Sequence, residues 1–143
     1  MRTLLLLLVA GVAGAAYADS PLFASRAEIA SLSGAQIYDH ICVGCHMQGG
    51  TGATGAGSYP KLAANSKFVS WQFVALTVLN GRNGMPPFGQ PAGPSRATHL
   101  TDAQIAEVVN YVRSHFENNF APEVTAKQVA ALPHPAAELM GPQ

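Results

Sequence analysis

The sequence contains little charge and few cysteines for its length. Its 143 residues include 8 lysines and arginines, 8 aspartates and glutamates, and 2 cysteines. A nearly neutral chain lacks the strongly basic surface that binds nucleic acids or anionic membranes. Two cysteines cannot by themselves supply the four ligands of a structural zinc site. There is also no run of alternating or continuous β-branched residues long enough to predict a βαβ sheet. These absences argue against nucleic-acid binding, a structural zinc site and a thioredoxin-like fold.

The first 18 residues have the pattern of a secretory signal peptide. Arg2 precedes an apolar run over residues 4–16, and residues 16–18 form a small-x-small cleavage site. The run is too short to span a bilayer comfortably, and no later apolar stretch is long enough either. Cleavage after Ala18 would remove a single charged residue and leave a chain that suits one compact domain. We therefore expect a periplasmic protein with no transmembrane span.

One short motif predicts a specific cofactor. Cys42 and Cys45 are separated by two residues, and His46 follows immediately. This spacing is typical of the site at which haem c is attached through two thioether bonds. On a helix, both sulfurs and the imidazole would project from one face, so that the thiols could hold the porphyrin while His46 binds the iron. The motif therefore predicts one covalently bound haem c.

A Cys-x-x-Cys pair has three other common uses. It can be a dithiol redox site, half of a zinc site or a disulfide. A dithiol site is expected beside a βαβ unit, which this sequence does not predict. His40 or His99 could complete a zinc site, but no second closely spaced pair of ligands is present. In an exported protein two free thiols would usually pair, and haem attachment explains why these need not.

Hydrophobic spacing and capping residues predict a mainly helical chain. Three Ser or Thr residues have a Gln three positions later, which is the pattern of a reciprocal capping box: Ser33 with Gln36, Thr101 with Gln104, and Thr125 with Gln128. The helices that they begin are predicted to end at the haem motif, near Phe116 and near Leu132. A further helix is predicted over Phe68–Leu79, with a stop at Asn80 and Gly81. Its buried face is expected to contain Val69, Phe73 and Leu76, with Leu79 as a further candidate.

Two segments are predicted to be irregular because of their composition. Residues 49–59 contain five glycines, and residues 84–95 contain four prolines. We therefore expect an all-α domain over residues 31–120. A surface segment at 19–30 would precede it, and a tail at 121–143 with one short helix would follow.

The residue on the other side of the iron decides between electron transfer and chemistry on a substrate. Met85 is the strongest candidate, because the prolines that follow it stiffen a loop from which its thioether can be aimed at the iron. Met47 adjoins His46 and cannot reach the opposite side of the haem. His99 is a competing ligand, and an open iron is the third alternative.

Together these motifs resemble class I cytochrome c over residues 31–120. The likeness depends on the haem motif, on Pro60 and Leu62, on the Met85 loop and on the final helix. It implies a small helical fold around one haem, with His46 and Met85 as axial ligands. In this family a proline carbonyl, here that of Pro60, accepts a hydrogen bond from the ligand histidine, which fixes the ring and raises its basicity.

The resemblance also implies roles for residues near the haem. Leu62 and Phe88 would pack beside the ring. Trp71 would either donate its indole hydrogen to a haem propionate or fill the core as an ordinary aromatic residue. The residues expected where the first and last helices cross are Gly34, Tyr38 and Tyr111.

A haem iron with histidine and methionine ligands has no place for a substrate, so the resemblance implies an electron carrier rather than an enzyme. The methionine loop and the segment Val124-Thr125-Ala126 look most like cytochrome domains that serve periplasmic alcohol or sugar dehydrogenases. The expected partners are a dehydrogenase or quinol oxidase as donor and a terminal oxidase as acceptor. A monomeric shuttle is the first expectation, and a resident subunit of a dehydrogenase complex is the alternative. A haem enzyme or gas sensor would need an open iron.

Overall fold

The computed structural model describes residues 32–55, 57–89 and 99–135. The predicted signal peptide, the segment at 19–30 and residues 136–143 of the tail lie outside these ranges, as does the last part of the proline-rich segment. Within the ranges, no helix is long and apolar enough to cross a membrane.

The first helical segment ends in the haem motif, as predicted. It consists of helix α1 (Gly34–Ile37), a π-helical turn (Tyr38–Cys42) and helix α2 (Val43–His46). The predicted capping box begins it: the Ser33 amide donates to Oε1 of Gln36 at 2.9 Å, and Ser33 Oγ accepts from the Gln36 amide at 3.4 Å. These bonds satisfy backbone donors that have no partner inside the helix.

The π-helical turn decides which side chains face the interior. An α-helix turns by about 100° per residue, so Tyr38 and His46 would be about 80° apart around an unbroken α-helix. A π-helical turn contains more residues, because its hydrogen bonds join positions five apart. Tyr38 and His46 both reach the buried side, with 1% and 8% of their surfaces exposed. The turn therefore aligns His46 with the residues that form the core.

Helix α3 (Trp71–Asn80) begins later than predicted. A 3₁₀ turn (Ser66–Val69) precedes it, and Ser70 Oγ caps it by accepting from the Phe73 amide at 3.2 Å. The predicted buried face was wrong for Val69, which the cap leaves outside the helix and 68% exposed, and right for Leu79, which is fully buried. Phe73 and Leu76 are only half-buried. The residues that α3 buries are Val74, Ala75 and Leu79.

Helix α4 (Asp102–Ser114) is the longest described helix, with 13 residues. Its capping box is formed as predicted: the Thr101 amide donates to Oε1 of Gln104 at 2.8 Å, and Thr101 Oγ1 accepts from the Gln104 amide at 3.3 Å. The apolar residues of α4 recur at helical spacing and face the core. The buried ones are Ile105, Ala106, Val108, Val109 and Val112.

Helices α1 and α4 cross at Gly34. A Cβ atom built on Gly34 would collide with the backbone carbonyl of Glu107 and lie 2.9 Å from Cβ of Tyr111. Aromatic rings surround the crossing, with centroids 5.7 Å apart for Tyr38 and Tyr111 and 4.7 Å apart for Tyr38 and Phe116. The crossing involves the three residues expected, and it depends on the missing side chain at Gly34.

Gly34→Ala is expected to lower the free energy of unfolding by about 2 kcal/mol, because the two backbones must separate to admit a methyl group. The midpoint of guanidinium unfolding of the haem-loaded protein measures this. Gly44→Ala is the matched control, since Gly44 is exposed and no atom lies within 4 Å of its built Cβ. The unfolding midpoint of this control should equal or exceed that of the unaltered protein, because alanine has a higher helix propensity than glycine. Equal midpoints for the two variants would refute the close crossing.

A small antiparallel sheet lies within the glycine-rich segment, where no regular structure was expected. Strand β1 (Ala53–Thr54) pairs with β2 (Ser58–Tyr59). Gly52 has φ +68°, and a Cβ there would lie 2.5 Å from the Tyr59 carbonyl oxygen. A glycine therefore permits the close backbone approach at the base of this hairpin. With strands of two residues each, the described fold stays mainly helical.

The tail packs on α4 through a short helix. Helix α5 (Ala126–Ala130) is capped by Thr125 as predicted, although it ends before Leu132. Val124 and Val129 are 5% and 0% exposed. The tail as far as residue 135 is therefore part of the folded unit.

Candidate haem site

Cys42 and Cys45 lie close together at the end of the first helical segment. Cys42 is half-buried and packs against the core, whereas Cys45 is exposed, and neither forms a disulfide. Burial raises the pKa of Cys42 to about 12, and the neighbouring Cys45 contributes to the same shift. A dithiol redox site needs a thiolate activated by a lowered pKa. The dithiol alternative therefore finds no support here.

The backbone of Pro60 orients His46. The imidazole is almost fully buried, and its Nδ1 lies 3.1 Å from the Pro60 carbonyl oxygen. Because a carbonyl oxygen only accepts hydrogen bonds, Nδ1 is the donor. In the neutral ring, Nε2 is then unprotonated and able to bind a metal ion. The contact expected between these two residues is present.

Glycine turns bring Pro60 back to His46. The Gly52 amide donates to the His46 carbonyl at 3.0 Å, and the Gly50 carbonyl accepts from the Leu62 amide at 2.8 Å. Gly50 has φ +64°, and a Cβ there would lie 3.2 Å from Cβ of Leu62. The glycine-rich segment therefore folds closely against the haem motif.

Asn118, which the sequence patterns did not single out, fastens this segment to α4. It is 7% exposed. Its Nδ2 donates to the carbonyls of Leu62 at 3.0 Å and Val112 at 2.8 Å, and its Oδ1 accepts from the Asn65 amide at 2.8 Å. Leu62 and Asn118 are 56 positions apart. No local sequence pattern reports such a contact.

Met85 follows a tight two-residue turn. Arg82 and Met85 exchange backbone hydrogen bonds of 3.1 and 2.9 Å. Between them, Asn83 and Gly84 have φ values of +50° and +91°. Positive φ at both positions is typical of a type I′ turn, which Asn-Gly favours. The proline count alone predicted an irregular loop, whereas this dipeptide was the signal for a defined turn.

Gly81 allows this turn to pack directly against the end of α3. It has φ +70°, and a Cβ there would collide with the Met85 carbonyl oxygen and lie 2.9 Å from the Pro86 carbonyl carbon. Contact at this distance is possible only for glycine. The backbone of Met85 is therefore held on two sides, by the turn and by α3.

The chain beyond Met85 runs along the end of α3. The Phe88 amide donates to the Val78 carbonyl at 3.0 Å, and the Phe88 carbonyl accepts from the Leu100 amide at 2.9 Å. The Phe88 side chain packs against the core. His99, the competing ligand, adjoins Leu100, and its Nδ1 is buried without a hydrogen-bond partner. The hydrogen bond between Phe88 and Leu100 is therefore close to both candidate ligands: Met85 is three residues before Phe88, and His99 is next to Leu100.

Trp71 and Leu62 are both half-buried and pack against the hydrophobic core. Trp71 is the first residue of α3 and follows its capping serine directly. Core packing is therefore observed for both side chains. The hydrogen bond from Trp71 to a haem propionate stays a prediction.

The donor groups of the haem motif and the Met85 turn are the types that haem c requires. Two thiols, an imidazole with Nε2 available and a thioether on a fixed turn are the groups that bind a haem of the histidine–methionine type. Across residues 32–55, 57–89 and 99–135, no group of three or more His, Cys, Asp or Glu side chains could hold a metal ion. The zinc alternative therefore has no ligand set in the described residues.

Comparison with known proteins gives the family. The family model described as Cytochrome c matches residues 31–116, which include the haem motif, the Met85 turn and helix α4. This chain belongs to the cytochrome c family. The prediction of a class I cytochrome c with a mainly helical fold is confirmed. Membership also confirms covalently bound haem c as the cofactor and electron transfer as the activity.

Named relatives of this cytochrome c differ greatly in length. It is 32% identical over 105 residues to the cytochrome c subunit of the quinone alcohol dehydrogenase of Gluconobacter oxydans, covering 70% of this chain and 22% of the relative. It is 33% identical over 108 residues to the gluconate 2-dehydrogenase cytochrome c subunit of Pantoea cypripedii, covering 71% of this chain and 24% of the relative. It is 32% identical over 123 residues to cytochrome c6 of a Synechococcus strain, covering 85% of this chain and 99% of the relative. The chain thus spans about a quarter of those dehydrogenase subunits and nearly all of that cytochrome c6.

Proposed function

We propose that this cytochrome c carries single electrons in the periplasm. One haem would be attached to Cys42 and Cys45, with His46 and Met85 as its axial ligands. The main observation in support is the 3.1 Å hydrogen bond between Nδ1 of His46 and the Pro60 carbonyl oxygen. Such a bond is typical of metal-binding histidines, because it fixes the ring and leaves the other nitrogen for the metal.

The chain's own residues would make the site suitable for electron transfer. Haem iron supplies the change of oxidation state. The Pro60 carbonyl would raise the basicity of His46, and the fixed turn would keep the Met85 thioether available for the second axial position. With both positions filled, no substrate can bind the iron. The thioether also favours the ferrous state, which raises the reduction potential relative to two histidine ligands.

Apolar side chains would keep water from the haem. Leu62 and Phe88 are half-buried and pack against the core, and their amides donate to the carbonyls of Gly50 and of Val78 in α3. Placed against the ring, they would stabilise the less charged, reduced site. Trp71 would either donate to a propionate or act as a further apolar wall.

The names of the relatives support a dehydrogenase partner. The Gluconobacter and Pantoea proteins are cytochrome c subunits of dehydrogenases. We therefore propose a dehydrogenase or quinol oxidase as donor and a terminal oxidase as acceptor. Residues 1–18 would direct export, residues 31–120 would form the haem domain and residues 121–143 the tail. A diffusing monomer is the first form of this proposal, and a resident dehydrogenase subunit is the second.

The haem-loaded protein is expected to show one reversible one-electron wave in protein-film voltammetry. It should not consume hydrogen peroxide, and its ferrous form should not bind carbon monoxide on mixing, because both axial positions are filled. Met85→Ala is the comparison that shows what an open iron does in the same assays. Rapid carbon monoxide binding by the unaltered protein would overturn the closed site and favour the enzyme or sensor alternative.

Purification of the protein from its native periplasm distinguishes the two forms of the proposal. A monomer that is reduced by a separate dehydrogenase, at a rate proportional to dehydrogenase concentration, supports the shuttle. Elution with a dehydrogenase at equal stoichiometry supports the resident subunit and rules out the shuttle.

A further inference from the structure

The chain reverses direction after α4 and is fastened there by Arg113. This residue is 2% exposed, and its guanidinium lies over the Phe120 ring at 5.8 Å. Nε donates to the Phe68 carbonyl at 3.0 Å and Nη1 donates to the Ala121 carbonyl at 2.8 Å. Nη2 lies 3.7 Å from the Glu123 carboxylate. A buried cation therefore secures the start of the tail through one charge-assisted hydrogen bond, to Ala121, and an ion pair with Glu123.

The tail then returns along α4 towards its N-terminus. Asn110 binds the backbone of Val124 twice: its Nδ2 donates to the Val124 carbonyl at 2.8 Å, and its Oδ1 accepts from the Val124 amide at 3.0 Å. Five residues further, Val129 in α5 is fully buried. These contacts fix the direction in which residues 131–135 leave the helix.

The last described residues of the tail contact two helix ends. Nδ2 of Asn80, the final residue of α3, donates to the Pro133 carbonyl at 3.2 Å. Nε2 of His134 lies 2.7 Å from Oδ1 of Asp102, the first residue of α4. Asn80 and Asp102 are the two ends of the segment that contains Met85. Two consecutive tail residues therefore join the beginning and the end of the methionine segment.

We propose that residues 132–134 form a clasp that positions Met85, with His134 and Asn80 as its positioning residues. This inference rests on the proposed role of Met85 as an axial ligand. Described contacts link Met85 to both tied ends: its carbonyl packs against Gly81, next to Asn80, and the Phe88 carbonyl accepts from the Leu100 amide, two residues before Asp102. By tying these two ends to the tail, the clasp restricts movement of the Met85 backbone.

The hydrogen bonds of His134 make the clasp sensitive to pH. Nδ1 lies 2.8 Å from the Leu132 carbonyl oxygen, and Nε2 faces Asp102. Both partners accept, so the ring makes both bonds only as the charged imidazolium. Asp102 is the titratable group of α4 that contacts the ring, while α3 contributes to the clasp the neutral amide of Asn80 and the tail contributes the Leu132 carbonyl.

The sign of the pH effect follows from the charged ring. The hydrogen bond to Asp102 raises the pKa of His134 above its ordinary value, which outweighs the opposite effect of burial. A raised pKa in the folded state stabilises that state fully below the unfolded pKa of about 6.5. The stabilisation is lost as the pH rises through the folded pKa. The clasp is therefore complete in mild acid and weaker in alkali.

Competition by free imidazole for the ferric iron tests the clasp, because imidazole binds only when methionine has left. His134→Gln in the haem-loaded protein should bind imidazole roughly two- to fivefold more tightly than the unaltered protein at about pH 6, the effect expected for a part-exposed ion pair. The ratio of the two affinities should fall as the pH is raised from about 6 to about 9, because a neutral ring can donate only one of its two hydrogen bonds. Asn80→Ala should raise the imidazole affinity at both pH values.

His115→Gln is the matched control. His115 is exposed at the other end of α4, and its Nδ1 lies 2.9 Å from a backbone carbonyl, that of Tyr111. This variant should bind imidazole as the unaltered protein does. Equal affinities for His134→Gln and the unaltered protein at about pH 6, or the same change in His115→Gln, would overturn the clasp. Ferric haem with a methionine ligand has a weak absorption band in the far red. Absence of this band before imidazole is added would instead show that the proposed axial ligands are wrong.

Discussion

A variant with Cys42 and Cys45 replaced by alanine, prepared without haem, is expected to lose most of the helical circular dichroism of the haem-loaded protein. The chain contains 14 glycines and 10 prolines, which favour an unfolded ensemble over regular structure. Its longest described helix has 13 residues. Isolated helices shorter than about 12–15 residues are marginal in water, so these helices depend on a shared core. Haem is a large part of that core in a c-type cytochrome.

Two controls separate loss of haem from loss of the thiols. The unaltered chain prepared without haem should be as unfolded as the double variant. The haem-loaded Gly44→Ala variant, which keeps both cysteines, should have native helix content. Far-ultraviolet circular dichroism of all three proteins gives the comparison, and native helix content in the haem-free double variant would refute the prediction.

Met85→Ala is expected to open the iron. The ferric protein should lose the weak far-red absorption band that a methionine sulfur produces, and the ferrous protein should bind carbon monoxide readily. Loss of the thioether should also lower the reduction potential by on the order of 0.1 V, well within the range of about 0.8 V over which axial ligands set haem potentials. Optical spectra of both oxidation states and a redox titration measure these three effects.

Two variants make the test of Met85 specific. Met47→Ala removes the methionine next to His46 and should keep the far-red band. His99→Ala should also keep the far-red band, because removing His99 does not change the iron ligands when Met85 is one of them. A far-red band that survives in Met85→Ala would exclude Met85 as the ligand. Opening of the iron in His99→Ala alone would assign the position to His99.

Much of the local structure was predictable because the signals act over three or four residues. All three capping boxes form as the Ser or Thr and Gln spacing predicts. The buried face of α4 also follows from its apolar periodicity. The face of α3 was not predictable in this way, because that helix is apolar nearly all round and its neighbours decide which side is buried.

In the proposed haem site, too, some features were predictable from local sequence and others were not. Cys42, Cys45 and His46 lie within five consecutive residues, so their spacing alone predicted the cofactor, and the Asn-Gly pair before Met85 was a visible turn signal. The π-helical turn that aligns His46 with the core, by contrast, has no sequence pattern of its own.

The sequence by itself determined the cofactor and the starts of the helices that have capping boxes, because each depends on residues a few positions apart. Only the tertiary structure decided how these parts meet. The Asn118 bonds to Leu62 and the reach of His134 to Asp102 join residues 56 and 32 positions apart. Such contacts form only when packing of the whole chain offsets the entropy of closing long loops, and short sequence patterns contain no record of that balance.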